Sequence, residues 1–246
     1  MREKIELTGI ILASTPVGDY DKRLVILTKE RGKITAFARG ARKPNSPYLG
    51  VSEPFNFGTF FLSEGYDAYH LTGAEIKEYF LDVKNDIEAV CYGTYFCDVL
   101  EYLCVDGLGD KNILNLLYVT MKALSKREMP SQLIRRIFEL KVLDYDGEGL
   151  SAFDCCLCHK EEFHAYYPAG NGLICHNCAK KTGNVYYVNQ STVYTLQYIL
   201  SSPLNKLYSF RVKDDVMKEL DEVVGNYFTK HVSKKFKSLE ILTSLF

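Results

Sequence analysis

Four cysteines constrain this chain more than any other feature. Cys155 and Cys158 form one Cys-x-x-Cys arm, Cys175 and Cys178 form a second, and sixteen residues lie between them. That spacing fits a structural zinc site, in which four thiolates complete the tetrahedral shell of Zn²⁺ and leave no position open for a substrate. A redox dithiol is the competing reading, but it normally uses one pair at a helix start after a strand. His159, His164 and His176 lie in or beside the loop and are read as surface groups around a complete thiolate set. Cys91, Cys97 and Cys104 fall near one face of a helix and read as small buried apolar side chains. Cys156 is left over beside a ligand.

The hydrophobic pattern says what such a module could brace. From Ile5 to Leu81 the signals are those of strands. Leu24 to Thr28 and Lys33 to Arg39 are β-prone runs joined by Lys29-Glu30-Arg31-Gly32, which has the length and the glycine of a hairpin turn. Along the second run Ile34, Ala36 and Ala38 alternate with Thr35, Phe37 and Arg39, so one face is small and apolar and the other aromatic and basic. Phe55, Phe57, Thr59 and Phe61 alternate again, and Tyr66 to Leu71 follows a turn at Gly65. About five strands in so short a span suit a small barrel of the OB type, with a small sandwich as the alternative.

After Lys84 the period lengthens. Ile87, Val90, Cys91, Thr94, Cys97, Leu100 and Cys104 recur every three or four residues, the mark of an amphipathic helix. Asp110 is the expected N-cap of a second helix through Leu124, and Met129-Pro130-Ser131 starts a third bearing Leu133, Ile137 and Leu140. Helical pattern resumes at 191–200 and from Val216 to Phe228, so helices on both sides of the cysteine loop are expected in one helical domain. The expected organisation is α+β and multidomain: an N-terminal OB-fold β-barrel over 1–82, a first helical part over 83–152, an inserted four-cysteine zinc module over 153–182, and a second helical part with a basic tail over 183–246.

Net charge is only -1, yet it is unevenly spread. Residues 1–50 carry ten Lys/Arg against five Asp/Glu, and residues 51–130 carry six against thirteen. A basic front end before an acidic middle hints at a polyanionic partner. The basic run is Lys29, Arg31, Lys33, Arg39, Arg42 and Lys43, opposed within 29–43 by Glu30 alone. With Phe37 and Tyr48 available for stacking, it has the parts that single-strand or backbone-directed DNA binding requires. A solvated, soluble hairpin is the plainer reading. Arg135 and Arg136 lie on an otherwise apolar helix, where they could receive an acidic peptide with an aromatic end; equally, they could pair with Glu139 one turn on.

Catalytic signatures are absent. The sequence has no phosphate-binding G-x-x-x-x-G-K-S/T loop, no G-x-G-x-x-G, no H-E-x-x-H and no G-x-S-x-G. The start, Met1-Arg2-Glu3-Lys4, is followed by no apolar leader, and no window reaches the apolar length of a membrane span, which points to a cytosolic protein without a membrane partner.

Taken in order, the motifs resemble the bacterial RecO family of recombination mediators. The matching stretches are Gly18-Asp19-Tyr20-Asp21-Lys22-Arg23, Gly32-Lys33-Ile34, Ala38-Arg39-Gly40-Ala41-Arg42-Lys43, Pro54-Phe55, Arg135-Arg136-Ile137-Phe138-Glu139-Leu140-Lys141, the two cysteine pairs and Phe236-Lys237-Ser238. The resemblance covers essentially the whole chain. It implies an OB-fold, a helical domain and an inserted zinc module. It also implies a non-enzymatic DNA-repair function in the cytoplasm at the nucleoid: binding single- and double-stranded DNA, annealing strands, and acting with RecR, and in some species RecF, to load RecA on DNA coated by single-strand binding protein. DNA contacts would fall at Lys33, Arg39, Arg42 and Lys43, with Arg23, Arg31 and Phe37 beside them. Arg135 and Arg136 would help receive the acidic C-terminal tail of the single-strand binding protein. Family members commonly have Gly after the second Cys, where this chain has His159, and some lack the thiols, which makes the zinc architectural. The competing class is a zinc-containing, protein-binding or transcription-associated module that does not contact DNA; a metal-dependent nuclease or deaminase would need an open metal position.

Overall fold

The computed structural model of the chain describes residues 4–245, with side chains as far as Leu242. Met1 to Glu3, which enter the reading of the chain start, lie outside the described residues. The described chain divides into two compact units: the residues up to Lys126 with those from Phe236 onward, and Arg127–Lys235.

The first unit is built on a closed five-stranded barrel. Its strands are β1 (Lys4–Val17), β2 (Asp21–Thr28), β3 (Gly32–Ala38), β4 (Phe57–Glu64) and β5 (Tyr69–Glu78), in the order β1-β2-β3-β5-β4. All neighbours are antiparallel except β3 and β5, which run parallel over Ala36↔Tyr69 and Phe37↔His70; β4 returns to β1 to close the ring. This is the strand order and closure of an OB-like barrel.

The alternation seen along β3 is the alternation of the barrel wall. Ile34, Ala36 and Ala38 join Leu7, Ile11, Leu24, Ile26, Phe60 and Leu62 in the interior. Gly32 opens β3 at φ 60°, where a side chain would be strained, and a Cβ there would stand 2.1 Å from the Leu108 carbonyl oxygen. In β4 the inward residues are Gly58, Phe60 and Leu62. Phe55 is not part of that strand: it has φ 71°, is buried, and donates its N–H to the Ile11 carbonyl at 2.9 Å. β5 begins at Tyr69 and not at Tyr66, because the Gly65 N–H bonds the Ala68 carbonyl and closes the preceding turn.

Four helices complete this unit: α1 (Leu81–Lys84), α2 (Ile87–Leu103), α3 (Lys111–Lys126) and α8 (Lys237–Leu245). Asp86 caps α2 by accepting from the Ala89 N–H at 2.7 Å, and Asp110 accepts from the Asn112 N–H at 2.7 Å as α3 begins. The tail read as merely basic forms α8; Phe236, just before it, packs edge-on against Tyr95, and Ser238 within it donates to Asp98, both on α2.

In the second unit α4 (Ser131–Tyr145), α6 (Gln190–Ser201) and α7 (Asp214–His231) pack on one another. Between α4 and α6 lie β6 (Ala165–Tyr167), β7 (Gly172–Ile174), α5 (His176–Ala179) and β8 (Tyr186–Tyr187), with the three strands ordered β7-β6-β8. Cys155, Ala165, Ile174, Cys175 and Ala179 form the small core of this insertion.

Candidate nucleic-acid interface and metal centre

The outer face of β3 carries Lys33, Thr35 and Phe37, and Arg39 follows directly. Arg23 on β2 stands opposite Phe37 in register, and its Nη2 donates to Thr35 Oγ1 at 3.4 Å. Beyond β3 the chain turns through Gly40, at φ 66°, and brings Arg42 and Lys43 back onto the β1–β2 turn. Five contacts fix that return. The Gly40 N–H donates to Asp21 Oδ1 at 2.7 Å, and the Arg42 N–H donates to the Tyr20 carbonyl at 2.9 Å. Arg42 Nη1 donates to the carbonyls of Gly18 and Asp19 at 3.2 and 3.3 Å. Lys43 Nζ lies 5.4 Å from the centre of the Tyr20 ring. Two stretches far apart in sequence, 18–23 and 38–43, are thus one locked corner. Arg39, Arg42 and Lys43 are gathered there, with Lys43 exposed and both arginines reaching solvent from the turn.

Two further residues of the basic run, Arg31 and Lys33, are spent elsewhere. Arg31 bonds Glu64 and donates to Tyr69 Oη at 2.7 Å, and these partners raise its pKa, with Glu64 the larger cause. Lys33 Nζ donates to the Glu101 carbonyl at 2.8 Å and lies 3.5 Å from Asp106. The run is therefore not one continuous edge. Arg39, Arg42 and Lys43 gather at the β1–β2 corner with Arg23 and Phe37 leading to them, while Arg31 and Lys33 serve the β2–β3 end.

Tyr20 is the residue that sequence reading passed over. It lies between Asp19 and Asp21 and away from the Lys/Arg run, so only its place in the 18–23 stretch marked it.

The four cysteines converge. Their Sγ atoms all lie within 4.8 Å of one another, and Cys158 and Cys175 are 3.7 Å apart. A disulfide needs about 2.05 Å. A tetrahedron of thiolates around Zn²⁺ at about 2.3 Å places its sulfurs roughly 3.8 Å apart, so the donor set fits a metal ion in both chemistry and spacing. The local electrostatics agree. Burial opposes the Cys155 thiolate, but N–H groups of Cys175, Leu157 and Cys158 outweigh it and bring the thiol down to about 6. Hydrogen bonding with Cys158, then burial and the other thiols, pushes Cys178 up to about 12. Four sulfurs that cannot all ionise against each other are what a dication resolves. Among the described residues this is the group that could hold a metal, and no histidine belongs to it.

Comparison with known proteins shows the family of the chain. The family model for the recombination protein O N terminus matches residues 1–80, and that for its C terminus matches 84–240. The chain belongs to the RecO family. Among similar relatives, the DNA repair protein RecO of Alkaliphilus metalliredigens is 30% identical over 240 residues, covering 96% of this chain and 98% of the relative. That of Clostridium perfringens strain 13 is 30% identical over 240 residues, covering 97% of each. That of Acetivibrio thermocellus is 26% identical over 243 residues, covering 98% and 97%. Among the described residues no helix is long and apolar enough to cross a membrane.

In this RecO-family chain the arginine pair of α4 faces inward. Arg136 Nε donates to Asp221 Oδ1 on α7 and its Nη1 to Glu139 Oε2, each at 2.6 Å, while Arg135 Nε donates to Glu139 Oε1 at 2.7 Å. Glu139 is fully buried. A Cβ at Gly225 of α7 would stand 3.2 to 3.4 Å from the Arg136 guanidinium, so that glycine leaves the space the side chain fills. Burial works against the Arg136 charge, but Glu139 and Asp221 outweigh it and raise its pKa. His159, directly after the second cysteine, keeps a left-handed backbone at φ 59° and bonds Asp154 Oδ2 through Nδ1 at 2.6 Å. The turn retains the geometry that a glycine would adopt without strain.

Proposed function

We propose that this chain is a non-enzymatic DNA-binding recombination mediator that binds single- and double-stranded DNA, anneals complementary strands, and helps RecA load on DNA coated by single-strand binding protein, with RecR, and in some species RecF, as partner in that step. The observation that carries this reading is the corner of the barrel in a RecO-family chain: Arg39, Arg42 and Lys43 gathered together, with Arg23 and Phe37 along the adjoining face. Strand annealing requires no bond to be made. A surface that screens phosphate repulsion and is neutral to sequence brings two strands together, and its affinity falls steeply with salt. Lys33 and Arg31, at the β2–β3 end, stand in this reading at the margin of the DNA surface, where their ion pairs with Asp106 and Glu64 leave them the smaller share of the binding. Arg135 and Arg136, held by Glu139 and Asp221, act in this reading as the rigid backing of a peptide groove for the single-strand binding protein's acidic tail. Such recruitment would raise the local concentration of the barrel on coated DNA.

The test is the triple substitution Arg39→Glu, Arg42→Glu and Lys43→Glu. Each charge that neutralises a phosphate contributes roughly 0.7 to 0.9 to the slope of log K against log salt. The variant should lose about two units of that slope and about a hundredfold or more of low-salt affinity, and annealing of labelled complementary oligonucleotides should slow with it. Unchanged affinity in a variant of unchanged melting temperature removes this surface. Absence of any salt-dependent binding by the unmodified protein favours a purely protein-binding module.

Zinc at Cys155, Cys158, Cys175 and Cys178 is the metal this reading assigns, in an architectural role. Protein purified without chelator should hold about one zinc per chain. Cys175→Ser with Cys178→Ser should abolish that zinc and lower the melting temperature, while DNA affinity measured below the new transition stays within about threefold. A folded, zinc-free variant that no longer binds DNA would move the cysteine module from a supporting role to a direct one.

A further inference from the structure

The aromatic rings of the barrel differ in whether a face is open to a ligand. Phe60 is interior, Tyr48 packs on the core with its Oη bonded to the Thr72 carbonyl, and Tyr69 takes the Arg31 guanidinium. Phe37 is half-buried beside the His70 ring, with centroids 6.5 Å apart. Tyr66 is fully exposed, but it sits in the β4–β5 turn between Glu64 and Asp67, whose carboxylates repel phosphate. Tyr20 differs from all of these. The residue is 53% exposed and its backbone is held by the Arg42 N–H; carboxylates flank it too, but Asp21 is taken up by the Gly40 N–H, and the cations of Arg42 and Lys43 return onto the same turn as Asp19.

We propose that Tyr20 is the base-stacking platform of the barrel corner and that it gives the corner a preference for single-stranded over duplex DNA. The inference rests on the DNA-binding reading of Arg39, Arg42 and Lys43 and adds to it a contact with the base. Cations alone bind phosphates and cannot tell one strand from two. An aromatic face can, because a base in a duplex is already stacked and paired, whereas a base in a single strand is free to lie on the ring. Three features fit Tyr20 to this task. The turn that carries it is fixed at both sides, by Asp21 to Gly40 and by Arg42 to Gly18 and Asp19, so little ordering is required when a strand arrives. Lys43 stands over the ring at 5.4 Å, so a base stacked on Tyr20 keeps its own phosphate beside an ammonium. Tyr20 lies in the loop between the first two strands of an OB-like barrel, which together with the β2–β3 face is where such barrels take oligonucleotides.

The experiment compares full-length protein with Tyr20→Ala, Tyr20→Phe and Tyr66→Ala on three labelled probes of equal phosphate count: an oligothymidine, the same strand with abasic sites, and a duplex. Tyr20→Ala is expected to weaken oligothymidine binding by about fivefold to a hundredfold, the range for losing one stacked base. It should leave the abasic strand, the duplex and the salt slope as they are. Tyr20→Phe, which keeps the ring, should restore what Tyr20→Ala loses, and Tyr66→Ala should match the unmodified protein on every probe. Two outcomes overturn the proposal: oligothymidine affinity unchanged in Tyr20→Ala, or equal weakening on all three probes, which would make the ring a brace for the turn. In both, salt-dependent binding by the unmodified protein keeps the cation surface standing. If the unmodified protein binds none of the probes, the proposal and the DNA-binding reading fall together.

Discussion

Arg39 and Arg136 are the same kind of residue, both singled out by sequence, and the structure uses them in opposite ways. Arg39 ends the outer face of β3 at the surface, and among the described residues no hydrogen bond or ion pair holds its guanidinium. Arg136 is buried between α4 and α7, with Glu139 and Asp221 each 2.6 Å away. A charge already matched by carboxylates has little left to offer a ligand, because its desolvation has been met inside the protein. A free charge costs little to keep in water and returns its energy only when a polyanion displaces counterions. Cations near Arg39 are therefore the ones suited to binding, and those near Arg136 the ones suited to holding helices in place.

The sharpest way to break this contrast is to remove the buried acid. Glu139→Ala would leave Arg135 and Arg136 without their shared partner in the interior, and the expected cost is about 3–5 kcal/mol of stability. It should be read as a lowered denaturation midpoint of the unit formed by Arg127–Lys235. Arg39→Ala should change stability by no more than about 0.5 kcal/mol, as for an ordinary surface position, while lowering the salt slope of DNA binding by about one. If Glu139→Ala instead left stability intact, or Arg39→Ala lowered stability and spared binding, the two arginines would not differ as their surroundings say.

How much of this was legible in the sequence follows the same division. The barrel was, because in an extended strand Ile34, Ala36 and Ala38 must face one way and Thr35, Phe37 and Arg39 the other. The cysteine site was, because ligand identity and spacing are local. The commitment of each cation was not. Lys33 meets Glu101 and Asp106, some seventy residues on, and Arg136 meets Asp221, eighty-five residues on. Only folding decides such partners. Glu139, one turn from Arg135 and Arg136, was the readable exception, since spacing on a helix predicts that pair. Phe55 defeated the pattern for a different reason: it continues the aromatic alternation of β4 but takes φ 71° in the turn before it, and no periodicity reports a left-handed residue.

Between the free and the buried cation stands Lys122, and it gives the smallest of these effects. Lys122 pairs with Glu78 on β5 and lies over the rings of Phe80 and Tyr118, with side chains of Lys122 and Glu78 39% and 27% exposed. The hydrogen bond from Lys122, against a smaller penalty of burial, lowers the Glu78 pKa, and Glu78 in turn raises that of Lys122. A carboxylate with a depressed folded pKa contributes stability that is complete above its unfolded value of about 4.3 and is lost as pH falls through the folded value. A lysine with a raised pKa contributes below about 10.5 and loses its share as pH rises through the folded value. Glu78→Gln should thus cost less than about 1 kcal/mol, since solvent screens a pair this exposed, and the cost should be flat from about pH 5 to 10. Urea midpoints of the variant and the unmodified protein should then converge as pH drops below about 4. Midpoints that stayed equally far apart in acid would mean that Glu78 acts through packing, or through a geometry of its bond from the Phe80 N–H that glutamine does not reproduce, and not through its charge.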